Sequence, residues 1–239
     1  MEVEIGIGKS GRRAYGFDEI AIVPSRRTRD PEDVDISWEI DAYKFDIPLM
    51  ASAMDGVVSP KTAIEIGRLG GVACLNLEGL WTRYEDPEPL FAEIAELPPE
   101  KATRRMQDIY SAPVNPELMG VRIGEIKAAG VTACASLTPQ KVEEHAAAMT
   151  AAELDILVIQ GTVVSAEHIS NDESRQPLNL KSFIREFNMP VIVGGCASYA
   201  TALHLMRTGA IGILVGVGPG QACTSRGVLG IGVPQATAI

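Results

Sequence analysis

A chain of 239 residues, 46% of them apolar, is long enough to build one large domain with a substantial core. Its net charge of −10 argues against a general affinity for nucleic acid or anionic membranes, which both attract positively charged proteins. No apolar run could span a bilayer, the first residues lack an export signal, and the four cysteines form no CxxC pair, so we expect a cytoplasmic protein with reduced thiols.

Short apolar runs of the β type alternate with amphipathic helical stretches along the chain. After a lead segment at 17–24, the predicted strands are 47–54, 71–77, 132–137, 156–161, 190–197 and 212–217. Prolines near the first turn mark several of the predicted helices, which are 60–69, 87–97, 116–129, 139–152, 180–187 and 199–208. The strands are too continuously apolar for a half-exposed antiparallel sheet, so we expect a buried parallel one.

Repeated βα units of this kind build either a doubly wound sheet or a (β/α)₈ barrel. Polar or glycine-rich residues follow most of the strands, at 52–56, 76–79, 160–162, 194–196 and 216–226. A doubly wound sheet would carry its glycine fingerprint after the first strand, whereas the glycines here come last. We therefore predict an α/β fold of the TIM (β/α)₈-barrel type, a single domain over 1–239 with about six of the eight units.

The glycine-rich segment 216–226 follows the last predicted strand and carries a thiol, Cys223. Three glycines and one proline in its first five positions let backbone amides and carbonyls approach a ligand closely. A cysteine exposed in such a turn can act as a nucleophile, whereas a buried one would be inert. The segment alone leaves both alternatives open.

Several motifs recur together over almost the whole chain. They are FDEI at 17–20, VPSR at 23–26, IPL at 47–49, SAMD at 52–55, GG at 70–71, GxGPGxxCTSR at 216–226 and GxGxPQ at 230–235. The last two are highly specific, because a thiol, two hydroxyls and a Pro-Gln pair stand at fixed offsets. On these motifs the chain resembles the IMP dehydrogenase/GMP reductase family, most closely its bacterial paralogues that lack the CBS regulatory module.

The resemblance implies an oxidoreductase that uses NAD or NADP and acts at C2 of a purine nucleotide. Cys223 matches the family's nucleophile, whose adduct at C2 exchanges hydride with the nicotinamide. A dehydrogenase would convert IMP into XMP, and a reductase would convert GMP into IMP and ammonia. Both directions stay open. The alternatives from other classes are a nucleotide-binding paralogue without turnover and, more weakly, a thiol hydrolase.

The same resemblance assigns roles to individual residues. Thr224 and Ser225 match the hydroxyl pair that follows the nucleophile, with ordinary turn capping as the alternative. Substrate contacts are implied for Ser52, Met54 and Gln221. The residues implied for the cofactor are Gln160, Gly161, Gly195, Gly216 and Gly218. The backbone carbonyls of Gly218, Gly220 and Cys223 match a loop that binds a monovalent cation, K⁺.

Four positions depart from the family pattern. Gln160 replaces an aspartate that grips the cofactor ribose, Gly195 replaces an asparagine, Leu214 replaces a basic residue, and Gln221 replaces a phosphate-binding serine. An amide binds a hydroxyl less strongly than a carboxylate does, so we expect altered cofactor affinity. Glu78, near the end of the second strand, is either an acid or base or a solvated carboxylate.

The last difference concerns the extent of the barrel. The chain ends at Ile239, where the helix after the sixth strand begins, and loops after strands 7 and 8 commonly form the phosphate site of such barrels. We expect two exposed strand edges, and either a truncated product or an open side that another chain covers. Either state would be catalytically weak alone, and the resemblance implies a homo-oligomer.

Overall fold

Two antiparallel hairpins open the computed structural model, which describes residues 2–164, 178–220 and 223–239. Strand β1 (Glu2–Gly6) pairs with β2 (Lys9–Arg12), and β3 (Trp38–Ile40) pairs with β4 (Tyr43–Phe45). The lead segment between the hairpins begins with a 3₁₀ turn, Phe17–Glu19, and its apolar side chains are exposed. Neither hairpin is among the predicted strands.

The central sheet has six parallel strands: β5 (Met50–Ala51), β6 (Val72–Asn76), β7 (Cys134–Leu137), β8 (Ile156–Gln160), β9 (Val191–Cys196) and β10 (Gly212–Val215). Their order in space is their order in sequence, with β5 at one edge and β10 at the other. A doubly wound sheet would reverse its order at a switch point, so this order is that of part of a barrel. The predicted strands and barrel-type α/β fold are confirmed.

Helices connect the strands. They are α1 (Pro60–Arg68), α2 (Glu88–Glu96), α3 (Pro99–Tyr110), α4 (Pro116–Ala128), α5 (Val142–Ala151), α6 (Leu180–Glu186), α7 (Tyr199–Met206), α8 (Thr224–Leu229) and α9 (Gln235–Ala238). The start of α1 combines an N-cap at Ser59, which accepts from the Thr62 amide, with Pro60 in the first turn. All six predicted helices form, and α3, α8 and α9 are additions. In the described part of the chain, no helix is long and apolar enough to cross a membrane.

The two faces of the sheet build two apolar clusters, because successive residues of a strand point to opposite sides. Leu75, Leu157 and Val193 belong to the cluster that includes buried residues of the helices. Alternate residues such as Cys74 pack instead with Ile40 and Phe45 of the β3–β4 hairpin. Bonds from Trp38 Nε1 to the Ile47 carbonyl (2.7 Å) and from Tyr43 Oη to Asp155 Oδ1 (3.3 Å) fix this hairpin near the amino-terminal ends of the strands. The opposite, carboxyl-terminal rim is left for a site.

The sheet is open at both edges. Within the described residues, β5 and β10 each pair with one neighbour only. The strand β10 is half-buried or exposed along its length, whereas the interior strand β7 is buried throughout. The expected exposed edges are therefore present, and a covering chain stays a prediction.

Gly124 lies within α4, where an added Cβ would meet nothing within 4 Å. Replacing it with alanine should raise the free energy of unfolding by about 0.5–1 kcal/mol, because alanine loses less backbone entropy on folding. Gly67→Ala in α1 is the control and should destabilise, since its Cβ would lie 2.6 Å from Val131 Cβ. Urea denaturation followed by circular dichroism measures both; equal effects of the two variants would contradict the prediction.

Candidate active site

Three predicted cofactor-binding glycines lie side by side at the carboxyl ends of β8, β9 and β10. Gly161 and Gly195 join these ends, because the Gly161 amide donates to the Gly194 carbonyl (3.0 Å) and the Gly195 amide to the Gly161 carbonyl (3.1 Å). The Gly216 amide donates to the Cys196 carbonyl (2.7 Å), and a Cβ at position 195 would overlap the Gly216 carbonyl oxygen. Gly195 is buried, so its missing side chain lets the strand ends pack closely, whereas the partly exposed Gly161 and Gly216 present backbone at the rim.

Gln160 and Leu214, two of the departures from the family pattern, flank this backbone rim. Gln160 is exposed at the end of β8, so its amide is free to meet a ligand. Leu214 lies beside Gly194 on the neighbouring strand, and a Cβ at Gly194 would overlap the leucine side chain. An apolar side chain therefore packs where the family pattern has a basic residue, and the missing side chain of Gly194 makes room for it.

The first part of the glycine-rich segment 216–226, called the cysteine loop below, folds back on residues 230–235, which follow α8. The Val233 amide donates to the Val217 carbonyl (2.9 Å), and Gln235 Nε2 donates to the Val215 carbonyl (2.9 Å). Gly218 adopts a φ of +53° and lies so close to this segment that a Cβ would be 2.9 Å from the Ile231 carbonyl oxygen. Only glycine combines that conformation with that approach, so the motif's glycines and its glutamine shape one compact loop.

Cys223 stands at the N-cap of α8 and is half-buried, whereas the other three cysteines are buried. Its amide donates to the Gly220 carbonyl (3.1 Å), which fixes the thiol at the end of the loop. Favourable interactions with the backbone and hydroxyl of Ser225, and then with the Arg226 amide and guanidinium, hold the pKa of the Cys223 thiol below its ordinary value. A thiolate that forms readily and is reachable is a nucleophile, so this geometry favours the exposed alternative.

Alkylation by iodoacetamide should select Cys223 in the folded protein. Because its pKa is lowered, the labelling rate should rise with pH through a midpoint below that of an ordinary free cysteine. Ser225→Ala should move that midpoint upward, because it removes the hydroxyl that stabilises the thiolate. Cys74 and Cys196 are internal controls, since burial raises the pKa of each thiol. Mass spectrometry after timed quenching gives the rates, and equal labelling of all the cysteines would refute the assignment.

The remaining predicted residues of this loop have mixed positions. Thr224 is exposed as the first residue of α8, and Gln221 lies outside the described residues. The carbonyls of Gly220 and Cys223 already accept hydrogen bonds, from the Cys223 amide (3.1 Å) and the Gly227 amide (3.4 Å). The described geometry thus does not single out a K⁺ site, which stays a prediction. Across the described residues, no three His, Cys, Asp or Glu side chains form a metal-binding group.

Ser52 and Met54 follow β5, at the opposite edge of the sheet from β10. Both side chains are exposed, and Met54 lies in a tight turn because its amide donates to the Ser52 carbonyl (2.8 Å). The Met54 carbonyl in turn accepts from the amides of Val57 and Val58, each at 2.9 Å. Among the described residues, no hydrogen bond joins this loop to Cys223.

Glu78 has a structural role that neither sequence alternative included. Its carboxylate accepts from the Thr138 amide (2.6 Å) and from Thr138 Oγ1 (3.2 Å), which ties the end of β6 to the end of β7. The expectation of a freely solvated carboxylate is therefore wrong. Sequence analysis also missed the hydrogen bond from Gln235 Nε2 to the Val215 carbonyl, although the Pro-Gln pair at a fixed offset from the thiol was a signal for it.

Comparisons with known proteins agree with this geometry. Residues 14–239 match the model of the IMP dehydrogenase/GMP reductase domain. Uncharacterized oxidoreductases of Mycobacterium tuberculosis and Mycobacterium leprae are 49% identical over 99% of this chain, which spans 64% of their length. The inosine-5'-monophosphate dehydrogenase of Borreliella burgdorferi is 27% identical over 97% of the chain and 60% of its own length.

A solved structure extends the likeness to three dimensions. The crystal structure of an IMP dehydrogenase/GMP reductase-like protein from Corynebacterium glutamicum matches 99% of this chain with a TM-score of 0.89 and 44% identity. The chain covers 62% of that protein. With a family match over nearly its whole length and the expected strand order and cysteine loop, this chain belongs to the IMP dehydrogenase/GMP reductase family.

Proposed function

We propose that this protein is a nicotinamide-dependent oxidoreductase that acts at C2 of a purine nucleotide through a covalent bond to Cys223. The observation that carries the proposal is the half-buried thiol with a lowered pKa, presented on a glycine loop directly after β10. Family membership supplies the substrate class, and the dehydrogenase direction is the form we favour.

The reaction follows from the chemistry of the thiol. C2 of IMP is electron-poor, so the Cys223 thiolate adds to it, and the Ser225 and Arg226 groups favour the ionised sulfur because they lower the pKa of the thiol. Loss of the C2 hydrogen as hydride leaves a thioimidate on Cys223. Water then attacks C2, the carbon–sulfur bond breaks, and XMP leaves with the thiolate restored. The sum is IMP, NAD⁺ and water to XMP, NADH and one proton.

The rim at the ends of β8 to β10 fits a nicotinamide nucleotide, NAD or NADP. Gly161 and Gly216 are partly exposed at this rim, so their backbone permits close approach of a ring, while the buried Gly195 lets the ends of β9 and β10 pack closely. The exposed amide of Gln160 would bond a ribose hydroxyl. When bound, the nicotinamide ring supplies the hydride acceptor.

Two other functions use the same described residues. A GMP reductase would share the covalent bond to Cys223, with ammonia leaving GMP before hydride is added. A nucleotide-binding paralogue without turnover is favoured by Gln160 and Leu214, which replace the family's charged cofactor contacts.

We further propose a single-domain, cytoplasmic homo-oligomer.

Parallel assays test these functions. The protein is incubated with IMP plus NAD and with GMP plus NADPH while the absorbance of the reduced nicotinamide is followed, and calorimetry measures binding of each nucleotide. Reduction of NAD with IMP supports the dehydrogenase, and NADPH oxidation with GMP supports the reductase. Binding without either signal would indicate the non-catalytic paralogue, and absence of binding would refute all three.

A further inference from the structure

The loop that carries Ser52 and Met54 follows a short strand at the edge of the sheet. Its strand, β5, has only two residues, and β6 is its one partner in the described sheet. Edge strands this short place few constraints on the loop that follows. The turn at Met54 therefore needs support from elsewhere if the two side chains are to keep their positions.

That support comes from Asp55, the residue next to Met54. Its Oδ2 accepts from the Leu80 amide (3.0 Å) and from the Tyr110 hydroxyl (2.6 Å). Its Oδ1 is buried, and an added Cβ at Gly79 would overlap it. The missing side chain at Gly79 is thus what lets the carboxylate enter the space beside the segment after β6.

Tyr110 is the last residue of α3 and is itself fixed from two sides. The Arg83 guanidinium lies 5.9 Å from its ring centroid, and Arg83 Nε donates to the Glu78 carbonyl (3.0 Å). Burial and then the bond to Asp55 raise the pKa of the Tyr110 phenol well above its ordinary value. The phenol therefore keeps its proton and remains a donor throughout the neutral range.

We propose that Tyr110 is a positioning residue, which holds the 52–58 loop through Asp55 and thereby sets the placement of Ser52 and Met54. The inference rests on the proposed function for the meaning of those two residues as nucleotide contacts. It gives α3, a helix that the sequence pattern missed, a role in substrate binding without a contact of its own. A charged acceptor makes this the strongest kind of hydrogen bond available to the loop.

Amide hydrogen exchange, read by mass spectrometry, tests the inference on the wild-type protein and two variants. Tyr110→Phe removes the hydroxyl and keeps the ring. Tyr84→Phe is the matched control, because the Tyr84 hydroxyl also bonds the end of α3, at the Ile109 carbonyl (2.8 Å), rather than Asp55. We expect exchange in 54–58 to rise about tenfold in Tyr110→Phe and less than about twofold in Tyr84→Phe.

Calorimetry with IMP connects the loop to the proposed function. Tyr110→Phe should weaken binding about tenfold, and in an active protein it should raise KM for the nucleotide more than it lowers kcat. Equal exchange of 54–58 in the two variants would overturn the inference, because a general loosening of α3 would then explain both. If wild-type protein binds no purine nucleotide, the proposed function fails, while the exchange result still decides whether Tyr110 holds the loop. Should Tyr110→Phe be insoluble, Asp55→Asn, which keeps the side-chain volume and weakens the acceptor, undergoes the same measurements.

Discussion

Replacing Cys223 with alanine should lower the proposed nicotinamide-dependent turnover of a purine nucleotide at least about 10³-fold, the scale seen when a nucleophile is removed. The reason is chemical, since no covalent bond to C2 can form without the sulfur. Serine should be almost as inactive, because its hydroxyl is far harder to ionise than the thiol, whose pKa is lowered here. Nucleotide affinity should change only a few fold, since binding relies on other groups.

Steady-state assays and calorimetry on the same preparations separate these effects. Cys134→Ala is the matched control, because it removes a buried thiol outside the cysteine loop. Cys134 is the first residue of β7 and lies opposite Cys74 of β6. This control should keep turnover within a few fold of wild type. Near wild-type turnover in Cys223→Ala would remove the covalent mechanism, whatever the nucleotide affinity. Loss of binding together with turnover would instead indicate a collapsed loop.

The central sheet was predictable because its interior strands are buried on both faces. Runs such as 156–159 are apolar without interruption, a pattern that is typical of short strands in a parallel sheet covered on both sides. The placing of glycines and polar residues after the strands then separated the barrel from the doubly wound sheet. Strand limits were less accurate: 47–54 was predicted and two residues pair, because an edge strand keeps only part of its ladder.

The elements that were missed have weak local signals. The sequence of α3 is mostly polar and lacks a broad apolar stripe, so the helix buries only Ile109 in full. The β3–β4 hairpin has strands of three residues, and its burial depends on the sheet it packs against. Such elements are stabilised by tertiary contacts that no short window contains.

The candidate site likewise has residues that a local motif predicts and residues that only long-range contacts bring together. The glycine loop and Cys223 were predictable because a motif of fixed spacing encodes them. The support of Met54 was not, since Asp55 and Tyr110 are 55 residues apart in sequence. A contact of that kind becomes visible only when the fold brings the end of α3 beside the 52–58 loop, which follows β5.

Arg122 gives the largest stability effect that we expect, because its guanidinium is nearly buried and binds the segment after β6 at several points. Its side chain is 10% exposed. Nε donates to the Trp81 carbonyl (3.0 Å), Nη2 to the Glu85 carbonyl (2.6 Å) and Nη1 to Glu125 Oε1 (2.8 Å). The guanidinium also lies 5.6 Å from the Trp81 ring centroid.

Arg122→Met keeps most of the apolar stem and removes every one of these donors. The free energy of unfolding should fall by about 3 kcal/mol, since partly buried carbonyls lose charged donors. For a chain of this size, that loss lowers Tm by roughly 6–12 °C. Differential scanning fluorimetry and urea denaturation give the two quantities.

Arg68→Ala is the control for the ion pair alone. Arg68 pairs with Glu65 three residues away, as Arg122 does with Glu125, but the side chains of Arg68 and Glu65 are both 58% exposed. An exposed pair of this kind is worth less than about 1 kcal/mol, so this variant should unfold close to wild type. If both arginine variants lose the same small amount, the carbonyl contacts contribute little and the segment after β6 is held by its apolar residues. A large loss in Arg122→Met alone would show that one side chain of α4 fixes the segment whose Leu80 amide binds Asp55, and so connects an interior helix to the rim.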